Sequence, residues 1–224
     1  MVKIYISDVS SLEDEDKYEN GILVSSRYRT EKAKALRNAP DKARCIGAGL
    51  LLSHALSEYF CGDLQKSMHP VNGLWKYIEE AADEKGRPFL KWNEGRDIAG
   101  FSGDSKKELP FISISHSGEF AAAAISDRRI GMDIQNKRKI TEPVAKRIMS
   151  PSELSHAMAL KEEDRQRYAL CLWTEKEAAA KLDGRGIFEM LPQLSDDDWQ
   201  ERLGIKCITK EPIQDVFLSF AVYK

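Results

Sequence analysis

Two long helical segments, residues 27–60 and 162–182, stand among short strand-like runs that do not alternate with them in any regular way. A doubly wound parallel sheet needs strand and helix to take turns, so this order points to an α+β fold. The first segment, RYRTEKAKALRNAPDKARCIGAGLLLSHALSEYF, breaks near Asn38-Ala39-Pro40, and its second part carries the continuous apolar run of a buried helix. The second segment stops at Asp183-Gly184, with Gly184 placed as a C-cap. Ahead of it, Ser150, Pro151 and Glu153 spell a helix start: N-cap, first position and capping-box partner. At the front, Val2, Ile4 and Ile6 alternate with Lys3, Tyr5 and Ser7, the period of a half-buried strand, and an acidic stretch follows. Residues 120–125 and 130–134 read as two strands joined by the turn 126–129, and residues 215–224 as a closing strand. From 83 to 110 the chain is rich in Gly, Lys, Asp and Ser without periodicity, which predicts a loop and a boundary between halves 1–110 and 111–224.

The 224 residues suit one large domain or two small ones, and they are long enough to bury a sizeable core. A net charge of −2 gives no overall sign of nucleic-acid binding. No apolar run approaches the ~20 residues of a membrane helix. The first residues lack the positive start and apolar stretch of a signal peptide, so a cytoplasmic protein is expected. Cys45, Cys61, Cys171 and Cys207 form no Cys-x-x-Cys pair and are expected to be free thiols.

The stretch FISISHSGEFAAAAISDRRIGMDIQ, residues 111–135, holds the first chemistry. In its last strand Ile130, Met132 and Ile134 face one way, and Gly131, Asp133 and Gln135 the other. A solvated strand face would carry such residues without further meaning, yet Asp is a poor strand former inside an apolar run. On the long helix Trp173, Glu177 and Lys181 recur every four residues along one face. Taken alone, Glu177 and Lys181 are an ordinary surface pair, and Trp173 reads as core. His116 lies in Ser115-His116-Ser117-Gly118, with no His or Cys at zinc-ligand spacing and no Gly-x-Ser-x-Gly elbow. Small residues around a His suit close approach of an anion to backbone N–H groups.

The order of these blocks is more specific than any one of them. SISHSG, then IGMDIQ with seventeen residues from His116 to Asp133, then WTEKEAAAK resembles the 4′-phosphopantetheinyl transferase superfamily of the surfactin-synthetase-activating (Sfp-like) type. The third block is matched by Trp173, Lys176, Glu177 and Lys181. In the first half, RYRTEKAKAL with Arg44 is similar to the family's basic segment, and Gly86-Arg87-Pro88 to its Gly-Lys-Pro block.

The resemblance implies two similar α+β halves, a pseudo-dimer with the active site at their interface. It implies Mg²⁺-dependent transfer of the phosphopantetheine arm of coenzyme A to a carrier-protein serine, releasing adenosine 3′,5′-bisphosphate. Asp133, Gln135 and Glu177 then become the metal-binding set, with Gln135 standing where many relatives carry a third acid. Glu177 and Lys181 become catalytic. Arg29, Lys32, Arg44, Gly86, Arg87, Pro88, Ser115, His116 and Lys176 become coenzyme A contacts. The implied partner is an acidic acyl or peptidyl carrier domain, met by Lys137, Arg138, Lys139, Lys146 and Arg147, and the implied state is a monomer with no nucleic-acid or membrane partner. A catalytically weakened coenzyme-A- or carrier-binding protein of the same fold is the competing reading, with Gln135 as its support.

Overall fold

The alternating run at the front forms β1 (Val2–Asp8), which pairs with β5 (Phe120–Ser126), more than a hundred residues away. The computed structural model describes residues 1–64, 71–94 and 108–224. On the other edge of β5 lies β4 (Phe111–Ser117), so the first antiparallel sheet runs β1-β5-β4 with Ile4 opposite Ala124 and Ile112 opposite Ile125. Four of the seven residues of its central strand are alanine, and Ala121 to Ala124 are fully buried. Such small side chains let the long helix α3 (Ala39–Leu64) pack directly on β5, with Leu52, Leu56 and Phe60 joining Ala123, Ile125 and Ile112 in one core. Helices α1 (Glu15–Val24) and α2 (Arg27–Ala35) precede α3, and the hairpin β2 (Ile78–Ala82) and β3 (Pro88–Trp92) follows it. The break at Asn38-Ala39-Pro40 falls where expected, since Pro40 enters the first turn of α3, where its missing N–H costs nothing.

A second three-stranded antiparallel sheet has the order β6 (Ile130–Asn136), β8 (Val216–Tyr223), β7 (Ile205–Ile213). Between β6 and β7 come α4 (Glu142–Ile148), α5 (Pro151–Ala159), α6 (Glu162–Asp183), α7 (Ile187–Leu194) and α8 (Trp199–Arg202). The Ser150 capping box is present, and Gly184 caps α6 in the left-handed conformation. Leu170, Leu182, Met190, Leu194, Trp199, Phe217 and Ala221 form the core of this part. The chain is thus α+β, with a three-stranded antiparallel sheet and one long helix in each part.

The two compact units are Met1–Arg128 and Arg129–Lys224. The boundary expected at 110/111 falls too early, because β4 and β5 are bound into the sheet of β1. For the same reason β5 and β6 are not a hairpin: each pairs in a different sheet. Within the loop predicted over 83–110, β3 is a strand that pairs with β2, and residues 95–107 lie outside the described residues. No described helix is long and apolar enough to cross a membrane, and Cys45, Cys171 and Cys207 are free thiols.

Candidate active site

In the second unit the geometry turns on Gly131. A Cβ there would lie 2.0 Å from the Ala178 carbonyl oxygen and 2.3 Å from the Leu182 amide nitrogen. Only a residue without a side chain lets the backbone of α6 come so near. Helix α6 therefore lies on the face of β6 that carries Gly131, Asp133 and Gln135, with the backbone of Ala178 and Leu182 over the glycine. Asp133 is 3% exposed, so the solvated-face reading of β6 fails.

The side chains that meet there are those singled out by spacing. Lys181 Nζ donates to Asp133 Oδ1 at 2.7 Å, and Gln135 Nε2 donates to Asp133 Oδ2 at 2.8 Å. Burial, and then the charge of Asp133, push the Glu177 carboxyl up to about 7, while Lys181 and Arg138 pull it the other way. Two carboxylates that resist being ionised together are a place where a divalent cation would relieve repulsion. The donor set of Asp133, Glu177 and the Gln135 amide oxygen is all oxygen, which suits a hard ion such as Mg²⁺. Among the described residues no group of three or more His, Cys, Asp or Glu is placed to hold a metal ion, and the acids named in this corner are the pair Asp133 and Glu177. Trp173 packs against the core as expected, with the Arg138 guanidinium 5.3 Å from its ring centroid. Arg138 thus belongs to the Glu177 corner, which spacing along the chain did not reveal.

Lys176 is a correction. Its side chain is 0% exposed, and its ammonium donates to the Ile148 carbonyl and to Glu153 Oε2. Neighbours on a helix diverge by ~100°, and Lys176 has turned inward while Glu177 faces β6. A buried ammonium whose charge is already matched by Glu153 lends no support to the coenzyme A contact that the resemblance implies.

In the first unit the basic residues separate in the same way. Arg29 is 4% exposed and paired with Glu80, its Nε donating to Oε1 at 2.7 Å, while Ser26 Oγ donates to Oε2. Its charge is already matched in the core, which lends no support to the expected coenzyme A contact. Ser115 is buried, and by strand alternation it faces away from the exposed His116, so the two side chains do not act together. Lys32 is exposed on α2, 5.8 Å from the Tyr28 ring centroid.

Arg44, near the start of α3, donates to the Gly118 carbonyl at 2.9 Å and pairs with Asp41. Arg44, then Asn38 and more weakly His116, hold the Asp41 carboxyl below its usual range. Arg44 and His116 are therefore brought to one corner, where the β4–β5 turn meets α3. Gly86, with φ +81°, turns the β2–β3 hairpin, and Asp83 fastens it by accepting the Lys85 and Arg87 amides and pairing with the Arg87 guanidinium. Pro88 opens β3. Sequence spacing missed Glu80, because nothing near it in the chain announces that its partner lies 51 residues away.

A family model described as the 4′-phosphopantetheinyl transferase superfamily matches residues 129–218, the stretch that holds Asp133, Glu177 and Lys181. A 4′-phosphopantetheinyl transferase of Bacillus subtilis is 34% identical over 184 residues, covering 82% of this chain and 70% of its own length. The 4′-phosphopantetheinyl transferase Sfp of Bacillus subtilis (strain 168) is 25% identical over 186 residues, with 82% and 70% covered. The transferase psf-1 of Bacillus pumilus is 24% identical over 189 residues, with 83% and 70% covered.

Proposed function

Because this chain belongs to the 4′-phosphopantetheinyl transferase superfamily, and is an enzyme of the holo-[acyl-carrier-protein] synthase type, we propose that it moves the 4′-phosphopantetheine arm of coenzyme A onto a serine of an apo carrier protein, leaving adenosine 3′,5′-bisphosphate. The observation that carries the reading is the Asp133–Lys181 contact beside a Glu177 whose proton affinity is raised. Asp133 and Glu177 would hold Mg²⁺, with Gln135 contributing its amide oxygen or orienting a water. The ion, when bound, neutralises charge at the pyrophosphate. Glu177, or a water it holds, accepts the serine proton, and an affinity near neutral pH suits that task. Lys181 stabilises the charge on the transferring phosphoryl group.

Arg44 and His116, with Lys32, bind the 3′-phosphate, and Gly86, Arg87 and Pro88 border the adenine. The buried side chains of Arg29, Ser115 and Lys176 are left out of that contact in this reading. The carrier is acidic and meets Arg138, Lys139 and Arg147, which are exposed; Lys137 and Lys146 share that rim but pair with Asp215 and Glu142. A cytoplasmic monomer built from two similar halves completes the reading, supported by the sheet-plus-long-helix plan found in each unit.

Incubating the protein with coenzyme A, Mg²⁺ and several apo carriers, and weighing the carriers, tests this. A gain of one phosphopantetheine per carrier is expected. Asp133→Ala should slow it by about 100-fold or more, roughly 3 kcal/mol of lost transition-state stabilisation. No gain on any carrier would favour the weakened binding protein, for which Gln135 in place of an acid is the supporting observation.

A further inference from the structure

No part of the Lys176 side chain reaches solvent, and the proposed chemistry gives it no role. Its ammonium donates to the carbonyl of Ile148, the last residue of α4, and to Glu153 Oε2 at 2.6 Å. That same oxygen accepts the Ser150 N–H at 2.7 Å as half of the α5 capping box, and the Ser150 hydroxyl reaches Asp197. One buried ion pair thus ties the end of α4, the start of α5 and the middle of α6. The next residue along α6 is Glu177.

Rotation of α6 about its axis is the motion this corner can least tolerate. A carboxylate about 6 Å from the axis moves about 2 Å when the helix turns by roughly 20°, whereas reacting groups need to be held within about 0.5 Å. The contact with β6 is helix backbone on a glycine and sets how near α6 can come, and Leu170 and Leu182 seat the helix in the core through apolar contacts that have no preferred direction, so the Lys176 ion pair is a directional tie added to them. Nor is stability a reason to keep a buried pair, since well-packed apolar replacements are often neutral or better.

We propose that Lys176 is a positioning residue: its ion pair with Glu153 fixes the rotation of α6 and so holds Glu177 and Lys181 at Asp133. This rests on the transferase reading for its kinetic consequence, but not for its structural one.

The test compares Lys176→Met, Glu153→Gln and Ser150→Ala with the unaltered protein. Transfer kinetics are measured with coenzyme A and an apo carrier, and amide hydrogen exchange along residues 174–181 without ligands. Lys176→Met is expected to lower kcat ten- to a hundredfold, with the KM for coenzyme A within twofold, and to speed exchange on α6 at least tenfold. Glu153→Gln, which keeps the cap acceptor but removes the charge, should move both readouts the same way by severalfold. It carries the test if Lys176→Met does not fold. Ser150→Ala loosens the same junction but leaves the ion pair, so it should lower Tm with kcat within twofold.

A raised KM with unchanged kcat would place Lys176 on coenzyme A and overturn the proposal. So would Ser150→Ala matching the kcat loss, or exchange on α6 that does not change in Lys176→Met and Glu153→Gln. If the unaltered protein transfers nothing to any carrier, the transferase reading falls, and the exchange data alone decide the positioning role.

Discussion

Burial beside the charge of Asp133 makes the Glu177 carboxyl reluctant to ionise, and this has a measurable sign. The folded Glu177 holds its proton to about pH 7, against an ordinary carboxylate value of 4.5. Between those values the folded state binds more protons than the unfolded one, so stability falls as pH rises through that window. In chelator, Tm should drop from pH 5.5 to 8, Glu177→Gln should flatten that slope, and Mg²⁺ should restore much of the loss at pH 8; a slope unchanged in Glu177→Gln would assign it to another group. The cations divide by where their partners sit: Glu80 holds Arg29 inside the core, whereas Asp41 holds Arg44 at the surface. Arg29→Ala leaves Glu80 buried and unpaired and should cost about 3–5 kcal/mol of stability, read by denaturant titration. Arg44→Ala should instead weaken coenzyme A more than dephospho-coenzyme A in calorimetry, with little change in Tm. The sequence made Asp133 visible, because a carboxylate inside an apolar strand needs a reason. It could not separate Arg29 from Arg44, or Lys176 from Glu177. Those distinctions depend on Glu80 and Glu153, which lie 51 and 23 residues from their partners.

Elements with strong local signals stood where the chain predicted them: β1, the α2–α3 break, the Ser150 cap, α6 with its Gly184 stop, and β8. Those missed were short or lacked a clean period. Helix α1 hides in an acidic stretch, α7 carries Pro192, and β3 lies in a stretch rich in turn formers. Partner choice was the harder question. The two runs 120–125 and 130–134 look like a hairpin, yet β5 needs β1 and β4 on its two edges, and β6 needs β8. Gly131 shows how an element depends on a missing atom. Gly131→Ala would set a methyl against the α6 backbone, which cannot yield as a flexible side chain would. Overpacking of this kind costs about 1–3 kcal/mol. Transfer should fall further than that stability loss implies, because α6 must back away carrying Glu177 and Lys181. A variant with lower Tm but normal kcat would mean that α6 tolerates the shift.

At the scale of the whole molecule, a net charge of −2 conceals an uneven distribution. Arg138, Lys139 and Arg147 are exposed within ten residues of one another in a chain that is slightly acidic overall. If they steer an acidic carrier, kcat/KM for the carrier should fall as ionic strength rises from 50 to 500 mM, while half-saturation by coenzyme A in a carrier-independent binding assay moves less. Arg147→Glu should weaken the carrier and flatten that salt dependence, and equal salt slopes in both proteins would remove Arg147 from the encounter. Both units place a long helix on strands whose contact face is short of bulk: Ala121 and Ala123 of β5 under α3, and Gly131 under Ala178 and Leu182 of α6. To a protein engineer such positions look like faults to be mended, since strand propensity favours Val or Ile at each of them. A thermostability campaign that trusts propensity would choose Gly131 early and obtain a sluggish catalyst. The sound targets for hardening this chain are exposed surfaces far from β6, where added bulk has no helix to displace.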